Sequence, residues 1–85
     1  MKVKVLYFAS VREKLGKDAE EIDLPAGVST LAGLRSHLRA RGGAWADALA
    51  ANRLLRTAVN QDMAQPAAAI KAGDEVAFFP PVTGG

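Results

Sequence analysis

The stretch KVKVLYFASVREKLGKDAEEIDLPAG, residues 2–27, decides the fold class. Residues 2–9 have the alternation of a strand with one face in the core, although the opposite face is not fully polar. Residues 10–15 predict a short helical turn ended by a glycine, and residues 19–24 predict a second strand that runs into a Pro-Ala-Gly turn. The side chains expected to face the core are Val3, Val5, Tyr7, Ile22 and Leu24.

One amphipathic helix follows this pair of strands. We expect it to begin at Ser29 or Thr30, both good N-cap residues, and to end at Gly42-Gly43. Its apolar residues repeat at i, i+3 and i+7, which places them in one stripe. Trp45 predicts a second, short helix whose indole covers one end of the core. The stripe consists of Leu31, Leu34 and Leu38.

Two more strands are predicted after the helices, at residues 54–60 and 75–79. Residues 62–70 are interrupted by Pro66, and their pattern does not distinguish a strand from a helix or a loop. The resulting order, ββαββ with short extra helices, is typical of an α+β domain in which one main helix packs on a mixed sheet. Among such folds the ubiquitin-like β-grasp fits best.

The composition is that of an ordinary globular domain, with 49% apolar and 24% charged residues. Its 85 residues leave room for one domain, which we place at residues 1–81, with a flexible Gly-Gly tail at residues 82–85. A net charge of +2 is weak evidence for an anionic partner. The sequence has no cysteine, which excludes disulfides and zinc-thiolate sites. Its N-terminal apolar run is too short for a signal peptide or a membrane span, so we expect a cytoplasmic protein.

Few side chains within the chain are candidates for catalysis. His37 is the single histidine and lies off the leucine stripe, where an exposed polar residue is far commoner than a general base or a metal ligand. The acidic pairs Glu20-Glu21 and Asp74-Glu75 have diverging side chains and are interpreted as solvated charge. The chain is therefore predicted to bind no metal and no cofactor of its own.

Binding of nucleic acids and nucleotides is equally poorly supported. Arg35 and Arg39 fall on one flank of the leucine stripe and Arg41 on the other, so no basic stripe forms along the helix. The glycines match neither a P-loop nor a dinucleotide-binding motif. We expect neither a nucleic acid nor a membrane as a partner.

The sequence ends at Thr83-Gly84-Gly85, shortly after Pro80-Pro81. Glycine has no Cβ, so such a segment can enter a slot that admits only backbone, and its carboxylate is then a reactive handle. The prolines lack N–H donors and favour an extended exit from the sheet. Incidental terminal residues would give the same pattern, so the residues alone leave both interpretations open.

The last strand predicts a docking surface beside this tail. Val76 and Phe78 alternate with Ala77 and Phe79. Burial of the first pair in the core therefore leaves the second pair on the outside of the sheet. An exposed phenylalanine next to a reactive tail favours the docking of a partner protein. The alternative is that loop residues near Met63 cover Phe79.

Three segments closely resemble the family of the small subunit of molybdopterin synthase, also called MoaD. They are KVLYFASVREKL at residues 4–15, AVNQ at residues 58–61 and GDEVAFFPPVTGG at residues 73–85. The ending FFPPVTGG separates this family from most other β-grasp proteins. The likeness extends in order over nearly all of the chain and is weakest at residues 17–54 and 62–72.

The resemblance implies a sulfur carrier whose reacting end is Gly84-Gly85. An E1-like activating enzyme, using ATP and Mg²⁺, would adenylate the Gly85 carboxylate, and a sulfur donor would convert the adenylate into a thiocarboxylate. The large subunit of the synthase would form a heterotetramer with the carrier, receive the tail and pass the sulfur to cyclic pyranopterin monophosphate in molybdenum cofactor biosynthesis. The residues implied in partner binding are Phe79, Met63, Arg12, Pro80, Pro81, Val82 and Thr83.

Two related functions would share the fold and the Gly-Gly ending: a sulfur carrier for thiamine biosynthesis and a ubiquitin-like modifier attached to lysines. The Phe-Phe-Pro-Pro approach favours the molybdopterin branch over the thiamine branch. A modifier predicts amide-linked conjugates, whereas a carrier predicts a free chain about 16 Da heavier when sulfur replaces oxygen. A non-covalent interaction module, which is a different class of protein, predicts indifference to the terminus.

Overall fold

The computed structural model describes residues 1–81, which form a five-stranded sheet and three helices. All of the predicted elements are present, and one strand, β4, was not predicted. No helix in this part of the chain is long and apolar enough to cross a membrane. The strands are β1 (Lys2–Tyr7), β2 (Ala19–Asp23), β3 (Arg56–Val59), β4 (Asp62–Ala64) and β5 (Glu75–Phe79), and the helices are α1 (Ala9–Leu15), α2 (Leu31–Arg39) and α3 (Gly43–Ala48).

The strands lie in the order β2-β1-β5-β3-β4, and β1 and β5 pair in parallel at the centre. The other three pairings are antiparallel. A central parallel pair made by the first and last strands, with the main helix packed on one face, confirms the expected ubiquitin-like β-grasp. Because β5 has a neighbour on each side, the chain leaves the sheet from its middle rather than from an edge.

The core lies between the sheet and α2. Leu31, Leu34 and Leu38 are each at most 1% exposed, which confirms the predicted stripe. They belong to one cluster with buried residues of the two central strands, including Val5 and Phe78. Apolar residues recur with the helical period in α2 and with period two in the strands. Each element therefore has one apolar face, and these faces meet in the core.

The ends of α2 follow from local sequence. Thr30 is the N-cap, and its side-chain oxygen accepts a hydrogen bond from the Gly33 N–H at 3.1 Å. The helix ends at Arg39, earlier than predicted, and continues as a turn in which the Gly42 N–H donates to the Arg39 carbonyl at 3.0 Å. Gly42 and Gly43 then adopt φ values of 77° and 55°, which glycine tolerates without steric cost. These two glycines set the direction in which α3 starts.

β4 is the strand that sequence patterns did not predict. Asn60 and Gln61 have φ values of 51° and 73°, and Val59 pairs with Asp62 across them. Two successive residues with positive φ form the tight turn of a two-residue β-hairpin. Pro66, which made this segment hard to assign, follows the strand instead of interrupting it.

Trp45 closes the end of the core near α3, as predicted. Its ring meets Tyr7 edge-on, with centroids 5.5 Å apart. The Arg41 guanidinium lies 4.4 Å from the indole centroid on the more exposed side. Trp45 is partly buried and packs against the core cluster, so it covers the rim of the core.

Candidate functional site

β5 carries the chain towards its predicted reactive end. Val76 and Phe78 are completely buried, whereas Ala77 and Phe79 are partly buried on the opposite face of the sheet. The alternation predicted for this strand is therefore confirmed. Phe79 is the last residue of the strand, so it stands where the chain leaves the sheet.

Pro80 and Pro81, both partly buried, are the last residues that the structure describes. They follow directly on β5, so they form the root of the predicted tail. The remaining predicted site residues and the predicted flexible tail lie outside the described part of the chain. These residues are Val82, Thr83, Gly84 and Gly85.

Apolar residues from four strands share the sheet face that points away from the core. The register aligns Leu6 with Ala77, and Ala77 with Ala58. It aligns Ala58 in turn with Met63, so these residues form one row across the sheet. We call the apolar residues of this face the outer-face patch. It consists of Leu6, Phe8, Ala58, Met63, Ala77 and Phe79.

The outer-face patch is open to a partner. Met63 is 58% exposed and Phe8 is 43% exposed. Met63 lies opposite Ala58 and two strands away from β5, and Phe79 stays partly exposed. The outer-face patch is therefore accessible enough for a partner protein to dock on it. That a partner docks there remains a prediction.

Arg12 lies at the α1 end of the patch. Its backbone N–H donates to the Phe8 carbonyl at 3.3 Å, so Arg12 stands one helical turn beyond that ring. The side chain is exposed and makes no ion pair within residues 1–81. Of the residues predicted for partner binding, Arg12 and Phe79 therefore border one end of the patch, and Met63 lies at the β4 edge.

Leu6, Phe8 and Ala58 belong to the patch but were not predicted as site residues. The first two carried a signal in the sequence, because they fall on the face opposite Val5 and Tyr7 in a pattern of period two. Ala58 carried no such signal. Its place depends on the pairing of β3 with β5, which brings together residues distant in sequence.

A groove of about 190 Å³ lies on the other side of the tail root, and Pro80 is one of its lining residues. Lys14 of α1 and Arg53 of the loop after α3 border the groove, and both pair with the exposed Asp47. Hydrogen bonds from Lys14 and from Arg53 hold the pKa of Asp47 below its usual value. Leu54, also in the lining, is 82% exposed. The chain thus leaves the sheet between the apolar outer-face patch and a groove whose lining is partly apolar and partly charged.

Asp74 corrects the interpretation of the acidic pairs as solvated charge. It is 5% exposed, and its carboxylate accepts hydrogen bonds from the Lys71 backbone N–H at 2.9 Å and from the Asn60 side chain at 3.0 Å. The bond from Lys71, followed by that from Asn60, holds the pKa of Asp74 below its usual value. Asn60 also accepts from the Glu75 N–H at 3.0 Å, so the cluster fixes the start of β5.

Glu20 is likewise paired rather than solvated. The Tyr7 hydroxyl donates to its carboxylate at 2.9 Å, and Arg41 donates to the same oxygen at 3.0 Å. Burial would raise the pKa of Glu20, but the hydrogen bonds from Arg41 and Tyr7 outweigh it and lower the pKa. Burial also raises the pKa of the Tyr7 phenol. Both acidic clusters are structural, and no group of three His, Asp or Glu side chains in residues 1–81 could hold a metal ion.

Comparison with known proteins identifies a family and several relatives of this chain. Residues 5–85 match the model of the ThiS family. A protein named molybdopterin synthase sulfur carrier subunit, from Escherichia coli strain K12, is 49% identical over 83 residues, which cover 98% of this chain and 99% of that protein.

Two solved structures are similar along nearly the whole chain. A putative molybdopterin converting factor, subunit 1, from Pyrococcus furiosus superposes with a TM-score of 0.78 at 32% identity, covering 96% of this chain and 99% of that one. A chain in a complex of subunits 1 and 2 of the molybdopterin-converting factor from Helicobacter pylori superposes with a TM-score of 0.67 at 22% identity, covering 100% of both chains. The second likeness shows the fold alone.

Proposed function

The chain belongs to the ThiS family, and from this membership we propose that it is the sulfur carrier subunit of a molybdopterin synthase. The observation that carries the proposal is the similarity to a bacterial protein of that name, which is 49% identical over 98% of this chain. The sheet geometry supports it, because the central strand β5 ends beside an open apolar face and continues into the sequence Pro-Pro-Val-Thr-Gly-Gly. An ending of this kind suits a carrier whose cargo is attached to its last residue.

The cargo is attached in two steps. The Gly85 carboxylate attacks the α-phosphate of ATP in an E1-like enzyme that uses Mg²⁺, and pyrophosphate leaves. A sulfur donor at the oxidation level of sulfide then attacks the acyl carbon, and AMP leaves as the new C–S bond forms. The first step is needed because a free carboxylate is a poor acyl donor until it carries a good leaving group. The product is a thiocarboxylate, whose sulfur is a soft nucleophile near neutral pH.

The described residues present the tail rather than perform chemistry on it. Pairing of β5 with both β1 and β3 fixes the point at which the chain leaves the sheet. The prolines that follow cannot donate hydrogen bonds to a neighbouring strand, so they direct the chain away from the sheet. The four residues after Pro81 can then extend roughly 13 Å, at about 3.3 Å per residue. That reach is enough to enter the cleft of another protein.

The large subunit of the synthase docks on the outer-face patch and receives the tail. Phe79, Met63 and Arg12 contribute to that contact, together with Phe8. The large subunit supplies the acid–base groups and the oxyanion binding for transfer of sulfur to cyclic pyranopterin monophosphate, and two transfers produce the dithiolene of molybdopterin. The name of the Escherichia coli relative, a sulfur carrier subunit of molybdopterin synthase, supports an assembly with a second subunit, which we propose to be a heterotetramer.

The chain binds no cofactor of its own on this proposal, because ATP and Mg²⁺ belong to the activating enzyme. It acts in the cytoplasm, where the activating enzyme has access to ATP. The lack of cysteine in the sequence and the lack of a membrane-spanning helix in residues 1–81 are compatible with that compartment.

Loading of the tail can be tested by measuring the intact mass of the chain. The purified protein is incubated with an E1-like activating enzyme, MgATP and a sulfide source, and we expect a gain of about 16 Da located in the C-terminal peptide. A reaction without ATP and a variant lacking Gly85 should show no gain. Circular dichroism of the variant should match the unmodified protein, because the core cluster described above is formed by residues within 1–81.

The other outcomes separate the competing functions. Amide-linked conjugates to lysines in place of the mass gain would indicate a protein modifier. Sulfuration of the pterin precursor that is unaffected by loss of Gly85 would overturn the carrier proposal. Transfer of the loaded sulfur to a thiamine precursor, but not to cyclic pyranopterin monophosphate in the presence of the large subunit, would indicate the thiamine branch.

A further inference from the structure

A second groove in residues 1–81 lies away from the tail, between α2 and the β3–β4 hairpin. We call it the α2–β4 groove, and its volume is about 390 Å³. That volume is within the range of sites that bind small molecules or short segments of a partner. Its apolar lining includes Leu31, Leu55 and Phe78, and two of these residues belong to the buried core. Because Leu31 and Phe78 are at most 1% exposed, they close the floor of the groove, and an entering apolar side chain would contact the more exposed Leu55 and Met63.

The charge of the groove is positive and uncompensated. Arg35 and Arg39 of α2 and Arg56 of β3 line it, and none of the lining residues is acidic. Arg39 and Arg56 form no ion pair with any residue in the range 1–81. From the helix alone, Arg35 and Arg39 predict no basic surface, because they form no stripe with Arg41. The fold instead joins residues of the helix and the sheet.

Arg35 shows why this charge stays in place without a counter-ion. Its Nε donates to the Leu49 carbonyl at 2.8 Å, and its Nη2 donates to the carbonyls of Ala50 and Arg53. Burial, and after it the nearby positive charge of Arg39, lower the pKa of Arg35. The carbonyls fix the guanidinium in position but do not neutralise it, so an incoming carboxylate would gain a preorganised cationic partner.

The groove also adjoins an unpaired strand edge. β4 is the last strand of the sheet and pairs only with β3 among the described strands. Met63, in the middle of β4, borders the groove and belongs by register to the outer-face patch. A polypeptide lying along this edge could hydrogen-bond to the strand and continue on to the patch, which a small anion could not do.

We propose that the α2–β4 groove binds an extended acidic segment of a partner protein. An apolar side chain of that segment packs on Leu55 and Met63, and flanking carboxylates pair with Arg39 and Arg56. The segment follows the β4 edge, so a partner seated on the outer-face patch can reach the groove around Met63. This binding does not depend on the proposed sulfur chemistry, because no groove residue lies in the tail.

The test uses the full-length chain labelled with ¹⁵N and three short synthetic peptides with blocked ends. The first contains two leucines flanked by aspartates and glutamates, the second replaces the acids with lysines, and the third replaces the leucines with serines. We expect only the first peptide to shift the amide signals of groove residues such as Thr57 and Ala64 substantially. We also expect its affinity to fall as the salt concentration rises, because exposed ion pairs are screened.

Substitutions then identify the residues responsible. Arg39→Gln should weaken binding roughly ten-fold, which corresponds to about 1.4 kcal/mol. Arg56→Gln should act in the same direction and provides a second variant if Arg39→Gln perturbs the fold. Lys2→Gln removes the same charge from β1, outside the groove, and should leave the affinity unchanged. Loading of Gly85, measured by intact mass, should be normal in all three variants.

Several results would overturn the proposal. One is the absence of shifts at groove residues, and another is an equal response to the lysine-containing peptide. Tighter binding of inorganic triphosphate than of the acidic peptide would identify a small-anion site instead. Self-association of the free chain that Arg39→Gln abolishes would identify a second copy of this chain as the occupant. A failure of loading with intact peptide binding would count against the proposed function alone.

Discussion

The two ends of β5 are held in different ways. At its start, the Asp74 carboxylate and the Asn60 side chain form a closed set of hydrogen bonds with backbone N–H groups. At its end, Phe79 and Pro80 are partly exposed, and the neighbouring surface is the apolar outer-face patch. The same strand is therefore anchored by satisfied polar groups at one end and left open to a partner at the other.

This difference shows how a small domain can present a reactive tail without losing its own stability. Closed polar networks in a buried setting rigidify a structure and specify one arrangement. Exposed apolar surface contributes little to the folding of the monomer but becomes valuable when a partner covers it. We therefore expect substitutions at the start of β5 to change folding, and substitutions at its end to change binding.

Phe79→Asp should produce the largest effect, and the effect should be on binding. A charge placed in a desolvated interface, together with the loss of an aromatic anchor, should weaken the affinity for the large subunit about 100-fold. The free energy of unfolding should change by less than about 1 kcal/mol, because the side chain is on the outer face of the sheet. Isothermal titration calorimetry and urea unfolding measure the two quantities separately.

Leu54→Asp is the matched control for this substitution. It makes the same type of change at a leucine that is 82% exposed and outside the outer-face patch. We expect near-normal affinity for the large subunit. Undiminished affinity of the Phe79→Asp protein would remove the patch as the docking surface, and an equal loss in both variants would extend docking to the other side of the tail root.

Asp74→Ala should produce the next largest effect, and here the effect should be on folding. The substitution leaves the Lys71 N–H and the Asn60 amide without their acceptor in a partly buried position, so we expect the free energy of unfolding to fall by about 1.5 kcal/mol. Asp62→Ala in the exposed β4 provides the comparison and should be nearly neutral. Equal stability of the two variants in urea would mean that the Asp74 cluster does not anchor the strand.

The pH dependence of stability should be smaller but have a definite sign. Because the folded pKa of Asp74 is lowered, its contribution is complete at neutral pH and is lost as the pH falls from about 4 towards the folded value. Asp74→Asn keeps the shape but cannot ionise, so its stability should fall less steeply under acid conditions. Some dependence should remain, since the pKa of Glu20 is also lowered. Parallel curves of stability against pH for the two proteins would contradict this assignment.

The sequence predicted those parts of the molecule that depend on local periodicity. Alternation in β1 and β5 and the leucine stripe of α2 are set by neighbouring residues, and the structure confirms them. Two of the misses have different causes: β4 was missed although its two-residue turn is local, whereas the burial of Asp74 depends in part on a distant contact. Asp74 is buried because Asn60 reaches it from 14 positions away.

The same limit applies to the candidate site. The outer-face patch could be predicted in part because Phe79 and Phe8 alternate with core residues in their own strands. The positive charge of the α2–β4 groove could not be predicted, because Arg39 and Arg56 become neighbours of one cavity only when the hairpin packs beside the helix. Two residues this far apart in the chain produce no periodic pattern that could be recognised in a short stretch of sequence.

The smallest expected effect concerns backbone strain at the start of α1, beside the outer-face patch. Ala9, which follows Phe8 of the patch, has a φ of 51°, whereas the comparable φ at Asn60 belongs to a residue whose side chain is hydrogen-bonded. The left-handed conformation disfavours alanine by roughly 1 kcal/mol relative to glycine, so Ala9→Gly should raise the free energy of unfolding by about 0.5 kcal/mol after the loss of chain entropy. Ala46→Gly, in the right-handed helix α3, should instead lower it by about 1 kcal/mol. Opposite signs in urea unfolding would locate the strain at Ala9, beside the patch, and destabilisation by both substitutions would show that Ala9 is not strained.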